Sequence, residues 1–130
     1  MEHALALSDL DRVGFAHVLR TALRECDRPD LLRGHPLLGS HWLACHPAVA
    51  GDPVAAGRAL SAALREECRQ LFTSPRDRIL DRVMERTFFR PPGKQEVIAA
   101  ELGLAYSTYR RYLSQAVTRL ADALHARMAR

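Results

Sequence analysis

"KQEVIAAELGLAYSTYRRYLSQAV", residues 94–117, decides how the rest of the chain is read. It divides into a short helix, a glycine, and a second helix that carries two adjacent arginines. Two helices packed across a tight turn make three local demands. The first helix needs a small residue where the second crosses it. The turn needs a residue that tolerates positive φ, and apolar residues must hold the second helix down. Ala99 fits the first demand and Gly103 the second, while Leu102, Leu104, Tyr109, Tyr112 and Leu113 fit the third. The four-residue step from Ala99 to Gly103 and the six-residue step on to Tyr109 suit one geometry, that of a helix-turn-helix.

Working outward, every other segment also reads as helix, and no alternating β-branched run is long enough for a strand. "SPRDRILDRVMERTFF" (74–89) is expected to open with Ser74 as N-cap, Pro75 in the first helical position and Asp77 completing a capping box. Ile79, Leu80, Val83 and Met84 are its buried stripe, and "RPPG" (90–93) ends it because a proline ring cannot continue a helix. Upstream, "GDPVAAGRALSAALREECRQLF" (51–72) has Asp52 as N-cap and Pro53 as first helical residue, with Leu60, Leu64, Cys68 and Leu71 on one face. "LSDLDRVGFAHVLRTALREC" (7–26) is read as capped by Ser8, with Asp11 as the acid three residues on. Its apolar face is drawn from Val13, Phe15, Val18, Leu19, Ala22 and Leu23. The Pro- and Gly-rich stretch 27–53 predicts short helical turns near 30–33 and 37–45. The last helix is expected from about Ser107 to about Arg127, with Tyr109, Leu113, Ala116, Leu120 and Leu124 on one face. The expected fold is all-α: a helical N-terminal portion, 1–73, packed on a C-terminal trihelical unit, 74–130, with an extended last helix.

The chain has 130 residues and a net charge of +4, and the charge is uneven. Residues 1–74 hold 8 Arg/Lys against 9 Asp/Glu, giving −1, whereas residues 75–130 hold 11 against 6, giving +5. The basic excess thus falls in the half that holds the helix-turn-helix, as a nucleic-acid contact requires. Arginine supplies 18 of the 19 basic residues and alanine is abundant, a bias that a GC-rich genome produces unaided. Placement, not number, is therefore the informative feature.

With these residues in view, the stretch resembles the C-terminal promoter-reading domain of bacterial sigma factors and related helix-turn-helix regulators. The similarity is carried by Glu96, Ile98-Ala99, Leu102-Gly103-Leu104 and Thr108-Tyr109-Arg110, with 74–89 standing where that family has its first helix. It covers about residues 75–120 and leaves the N-terminal part unexplained. The family usually caps its recognition helix with Ser or Thr directly after Leu-Gly-Leu, where this chain has Ala105. Capping by Ser107 instead would shift the helix start by two residues. No upstream region suited to core polymerase or a −10 element is apparent, which argues against a working sigma factor.

The resemblance implies duplex DNA as partner, in a small bacterial transcription regulator or the DNA-binding module of a larger one. Tyr106, Ser107, Arg110, Arg111 and Ser114 are then the outward positions of the recognition helix. Arginine can pair bidentately with guanine O6 and N7, which makes Arg110 and Arg111 the candidate base readers. Ser107, Thr108, Lys94 and Arg119 are candidate phosphate contacts, which set register without reading sequence. The competing reading is a protein–protein adaptor with the same trihelical fold, in which the arginines are a solvated face.

Other constellations carry less. "PPGKQE" has Gly-Lys but no glycine-rich phosphate loop and no preceding strand. His35, His41, Cys45 and His46 lack the pair-plus-pair spacing of a zinc site, and Trp42 reads as a core anchor. Glu66 and Glu67 are adjacent on a helix and point roughly 100° apart, so they do not converge on a substrate. "TFF" (87–89) reads as a core closure at a helix end. No nucleophile signature supports an enzyme, and no cofactor or metal is expected. Three widely spaced cysteines suit a reducing cytoplasm, the acid-led N-terminus is unlike a signal peptide, and no apolar run suits a membrane span. A homodimer is expected from Leu124, Ala126 and Met128 on the last helix and Val18 and Leu19 on the first. The competing account packs those surfaces on each other within one chain. A fused or separate regulatory partner is the remaining expectation.

Overall fold

In the computed structural model, residues 7–44, 53–90 and 93–128 are described, and all their regular structure is helical. Six helices follow one another among them: α1 (Arg12–Arg24), α2 (His41–Ala44), α3 (Pro53–Leu71), α4 (Arg78–Met84), α5 (Gln95–Glu101) and α6 (Tyr106–Met128). Single 3₁₀ turns at Pro29–Leu32 and Pro36–Gly39 occupy the Pro- and Gly-rich connection, where short turns were expected.

Local chemistry sets the helix starts. Asp11, not Ser8, caps α1: its Oδ1 accepts from Gly14 N at 2.7 Å. Both residues are good caps, but the chain around Ser8 forms a 3₁₀ turn, Leu7–Asp9, so the helix begins three residues later. Pro53 opens α3, and Asp52 lies outside the described residues. Ser74 Oγ accepts from Asp77 N at 3.1 Å, but α4 begins only at Arg78 with Asp77 in the N-cap position, so Ser74 and Pro75 lie in the preceding turn and not at the helix start. The capping box does not close, because both Asp77 carboxylate oxygens are taken by Arg119, each at 2.9 Å. Beyond Met84 the chain widens into a π-helical turn, Glu85–Phe89, before the proline stop.

One main core joins the chain ends. It gathers Phe15, Leu19 and Leu23 of α1, Leu60, Leu64 and Cys68 of α3, Leu80 and Met84 of α4, and Leu120 and Leu124 of α6. Residues on both sides of position 74 contribute to it. Val13 does not, for its side chain is 79% exposed. α1 packs along α6. There Phe15 stacks on His125 with ring centroids 5.2 Å apart, and Arg12 pairs with Asp122 at 2.6 Å. Most of the apolar positions expected to form a dimer are used within the chain, whereas Ala126 is exposed. Leu19 and Leu124 are fully buried, and Val18 and Met128 pack on the core beside them.

Among the described residues the two buried polar side chains, Ser40 and Glu67, are hydrogen-bonded, whereas Glu25 Oε2 is buried without a hydrogen-bond partner. Glu67, only 6% exposed, accepts from Trp42 Nε1 at 3.2 Å and from Arg127 at 2.6 Å, so it ties α2, α3 and α6 together. Trp42 is the anchor its sequence context predicts. Cys26 and Cys68 are free thiols in the core. Burial pushes Cys26 up to about 12 and raises Cys68 as well, so both behave as small apolar residues. Cys45 and His46 lie outside the described residues. Among the described residues no group of His, Cys, Asp or Glu could hold a metal, and no helix is long and apolar enough to cross a membrane.

Candidate nucleic-acid interface

The C-terminal unit is built on a second, smaller cluster. Val83 of α4, Ile98 and Ala99 of α5 and Tyr109 of α6 are its buried members, with Leu102, Leu104 and Leu113 packed against them. Ala99, 2% exposed, is the small residue that lets α6 cross α5 closely. Gly103 has φ +73°, the left-handed conformation the turn was read to need. Around it Gly103 N donates to Ala100 O at 3.0 Å and Leu104 N to Ala99 O at 2.9 Å. This is a Schellman end: it satisfies the last carbonyls of α5 and turns the chain sharply. Leu104, in the position just past the glycine, seals it by packing on the same cluster.

α6 then starts at Tyr106, with Tyr109 N donating to Ala105 O at 2.9 Å. Ala105 therefore occupies the cap position although it has no side-chain acceptor, and Ser107 lies inside the first turn. The two-residue shift does not occur. Tyr109 anchors the helix from below. It is fully buried and its hydroxyl lies 2.7 Å from Thr87 Oγ1 on the π-helical turn. Burial pushes that phenol up, and the bond to Thr87 partly offsets the effect. Phe88 and Phe89 of the same turn pack on the main core, as a closing element should.

No family model matches this chain, and no curated protein or solved structure does either.

Above the anchored side, α6 turns a polar face outward. Ser107, Arg110, Arg111 and Ser114 are exposed, Tyr106 is 40% exposed and Thr108 is half-buried. Arg110 is held in place: it donates to the Tyr106 hydroxyl at 3.1 Å and lies 5.7 Å from the centre of that ring. Tyr106 in turn stacks on buried Tyr109, with centroids 6.3 Å apart. Arg111 lies over the Tyr112 ring at 5.6 Å. Among the described residues no carboxylate is within ion-pair distance of either arginine. Lys94, exposed, precedes the first turn of α5.

Arg119 belongs elsewhere. Its guanidinium is bound bidentately to Asp77 and lies 5.1 Å from the centre of the Phe72 ring. A residue read as a phosphate contact is thus part of the packing between α6, the start of α4 and the end of α3. Tyr106, an outward position by sequence, has a further role as the support of Arg110. The signal was present in the i, i+4 spacing of the two residues, which brings neighbours on a helix face together.

Proposed function

We propose that the chain binds duplex DNA sequence-selectively through α5, the Gly103 turn and the N-terminal half of α6. It would act as a small transcription regulator or as the DNA-binding module of a larger one. The observation that carries this reading is the pairing state of the arginines. Of the four arginines of α6, Arg119 and Arg127 are committed to carboxylates, while Arg110 and Arg111, on its outward face, are not. Their charge is left for an external partner. The N-terminus of α6 lacks a side-chain cap at Ala105, so its first N–H groups and Ser107 suit a phosphate.

A protein adaptor is the second reading, favoured by Val97, which is 51% exposed on the outer side of α5. Salt separates the two. Contacts to phosphates release counterions and weaken steeply as salt rises, whereas an apolar docking face responds little. Fluorescence anisotropy with a mixed-sequence duplex at falling salt tests the reading. Non-specific Kd values of about 10⁻⁴–10⁻⁶ M are expected near physiological salt. Absence of binding at the lowest salt would replace the DNA reading with the adaptor.

A further inference from the structure

Away from the outward face of α6, arginines gather a second time. A cleft of about 440 Å³ opens between α3, α4 and the end of α5. Five arginines line it: Arg65 and Arg69 from α3, Arg82 from α4, Arg86 from the π-helical turn, and Arg90 just after it. They face three carboxylates, Asp81, Glu85 and Glu101. Glu85 accepts from both Arg65 and Arg90, and Glu101 pairs with Arg86 at 2.5 Å. That leaves Arg69 and Arg82, both exposed, with no carboxylate within ion-pair distance among the described residues.

A second hollow of about 370 Å³ shares Arg65 and Arg69 with the first and adds Arg58, Phe89 and one carboxylate, Glu66. Arg58, Arg65 and Arg69 stand at i, i+7 and i+11, so they share one side of α3. Arg65 and Arg69 therefore form a ridge between two basic concavities. Crowded like charges repel, and walls of low dielectric strengthen their field. A multivalent anion relieves that repulsion, and guanidinium forks match phosphate oxygens in pairs. The observations select this class of ligand by geometry and charge together: concave, positive in excess, and built from planar donors on three elements.

We infer that this cleft is a binding site for the polyphosphate group of a small molecule, with Arg69 and Arg82 as its principal contacts. The inference is independent of DNA binding by α6. It has a consequence for that helix, since Glu101, which holds Arg86, stands two residues before Gly103. An anion that draws Arg86 away acts on the end of α5 and on the turn that follows.

Inorganic tripolyphosphate is the probe, titrated into the intact chain by calorimetry at constant ionic strength, with sulfate as the control anion. Saturable binding is expected for tripolyphosphate and not for sulfate. Arg69→Ala with Arg82→Ala should weaken it at least about tenfold, because hydrogen bonds between charged groups are lost. Neither residue makes an ion pair among the described residues, although the Arg69 charge favours the Asp81 carboxylate, so the double variant should stay folded with at most a small fall in melting temperature. Arg20→Ala with Arg24→Ala, exposed on α1, should leave binding unchanged. No saturable binding at millimolar tripolyphosphate overturns the inference, as does binding that the double variant retains. A double variant that loses mixed-sequence duplex DNA as strongly as tripolyphosphate would also overturn it, making the cleft part of a DNA footprint.

Discussion

Arg119 of α6 and Asp77 at the start of α4 meet through two hydrogen bonds of 2.9 Å, with the guanidinium lying over Phe72. The contact fixes α6 to the body of the protein some ten residues beyond its outward arginines. Arg119 holds the Asp77 carboxyl below the usual carboxylate range, chiefly through these hydrogen bonds. The pair's contribution is therefore complete above the ordinary value of 3.8 and is lost as pH falls through the depressed folded value.

Arg119→Ala should accordingly lower the melting temperature at pH 7, whereas Arg111→Ala should not. In DNA titrations the order should reverse, with Arg111→Ala weakening binding to a selected site and Arg119→Ala leaving it nearly unchanged. Circular dichroism melts and anisotropy on the same two variants check both halves.

Gly103→Val should destabilise the fold by at least about 1–2 kcal/mol, the cost of a β-branched residue in the left-handed region. The strain is purely conformational, because no atom lies within 4 Å of where a Cβ would stand. Gly103→Asn should then recover most of the loss, since asparagine tolerates that region. Equal melting curves for wild type and Gly103→Val would show a different turn.

Gly57 fails for the opposite reason. A Cβ there would stand 2.1 Å from the Pro29 carbonyl oxygen, where α3 meets the turn Pro29–Leu32. Gly57→Ala should cost about 1–3 kcal/mol in urea unfolding, as overpacking does. Gly39→Ala, with nothing within 4 Å of its added Cβ, is the matched control and should change little.

These two glycines also show what sequence conveys. The Gly103 turn was legible because its requirements are local: a small residue, a positive φ and flanking apolar anchors within ten positions. Gly57 carries no such mark, for its constraint comes from a carbonyl 28 positions earlier in the chain. Asp77 and Arg119 show the same limit. Spacing suits Asp77 to a capping box, and charge suits Arg119 to a phosphate. The two meet only through tertiary packing across 42 positions. For Val18 and Leu19 the sequence leaves a dimer and packing on the last helix both open, because α6 is remote in sequence; the structure places them against α6.

Acid should weaken the N-terminal half through His35. Its Nδ1 accepts from Leu37 N at 3.1 Å, while Nε2 lies 3.2 Å from Val18 O and 2.8 Å from Thr21 Oγ1. Burial lowers its pKa below the ordinary 6.5, with the Val18 carbonyl opposing that shift. The unfolded chain then binds the proton more readily than the folded one. Stability is full above 6.5 and declines as pH falls toward the depressed folded value. Melting temperatures of wild type and His35→Gln between pH 8 and pH 5 should converge on acidification. A constant gap would contradict it.

The two outward arginines should differ in kind from Lys94. Arg110→Ala and Arg111→Ala are expected to relax preference at defined base positions, losing roughly 1–3 kcal/mol of discrimination for each good guanine pair. Tyr106→Ala should mimic Arg110→Ala in part, because Tyr106 holds that guanidinium. Lys94→Ala should weaken all sequences alike and reduce the salt slope. Site selection from a random duplex pool, repeated on each variant, reads these effects directly.

The central claim is that duplex DNA meets the outward face of α6, and a backbone amide NMR titration with a short duplex tests it most directly. The account predicts that the largest shifts fall on residues 94–97 and 105–114, with the α1 and α3 amides nearly still. Shifts concentrated on α1 or α3, or none at low salt, would contradict it.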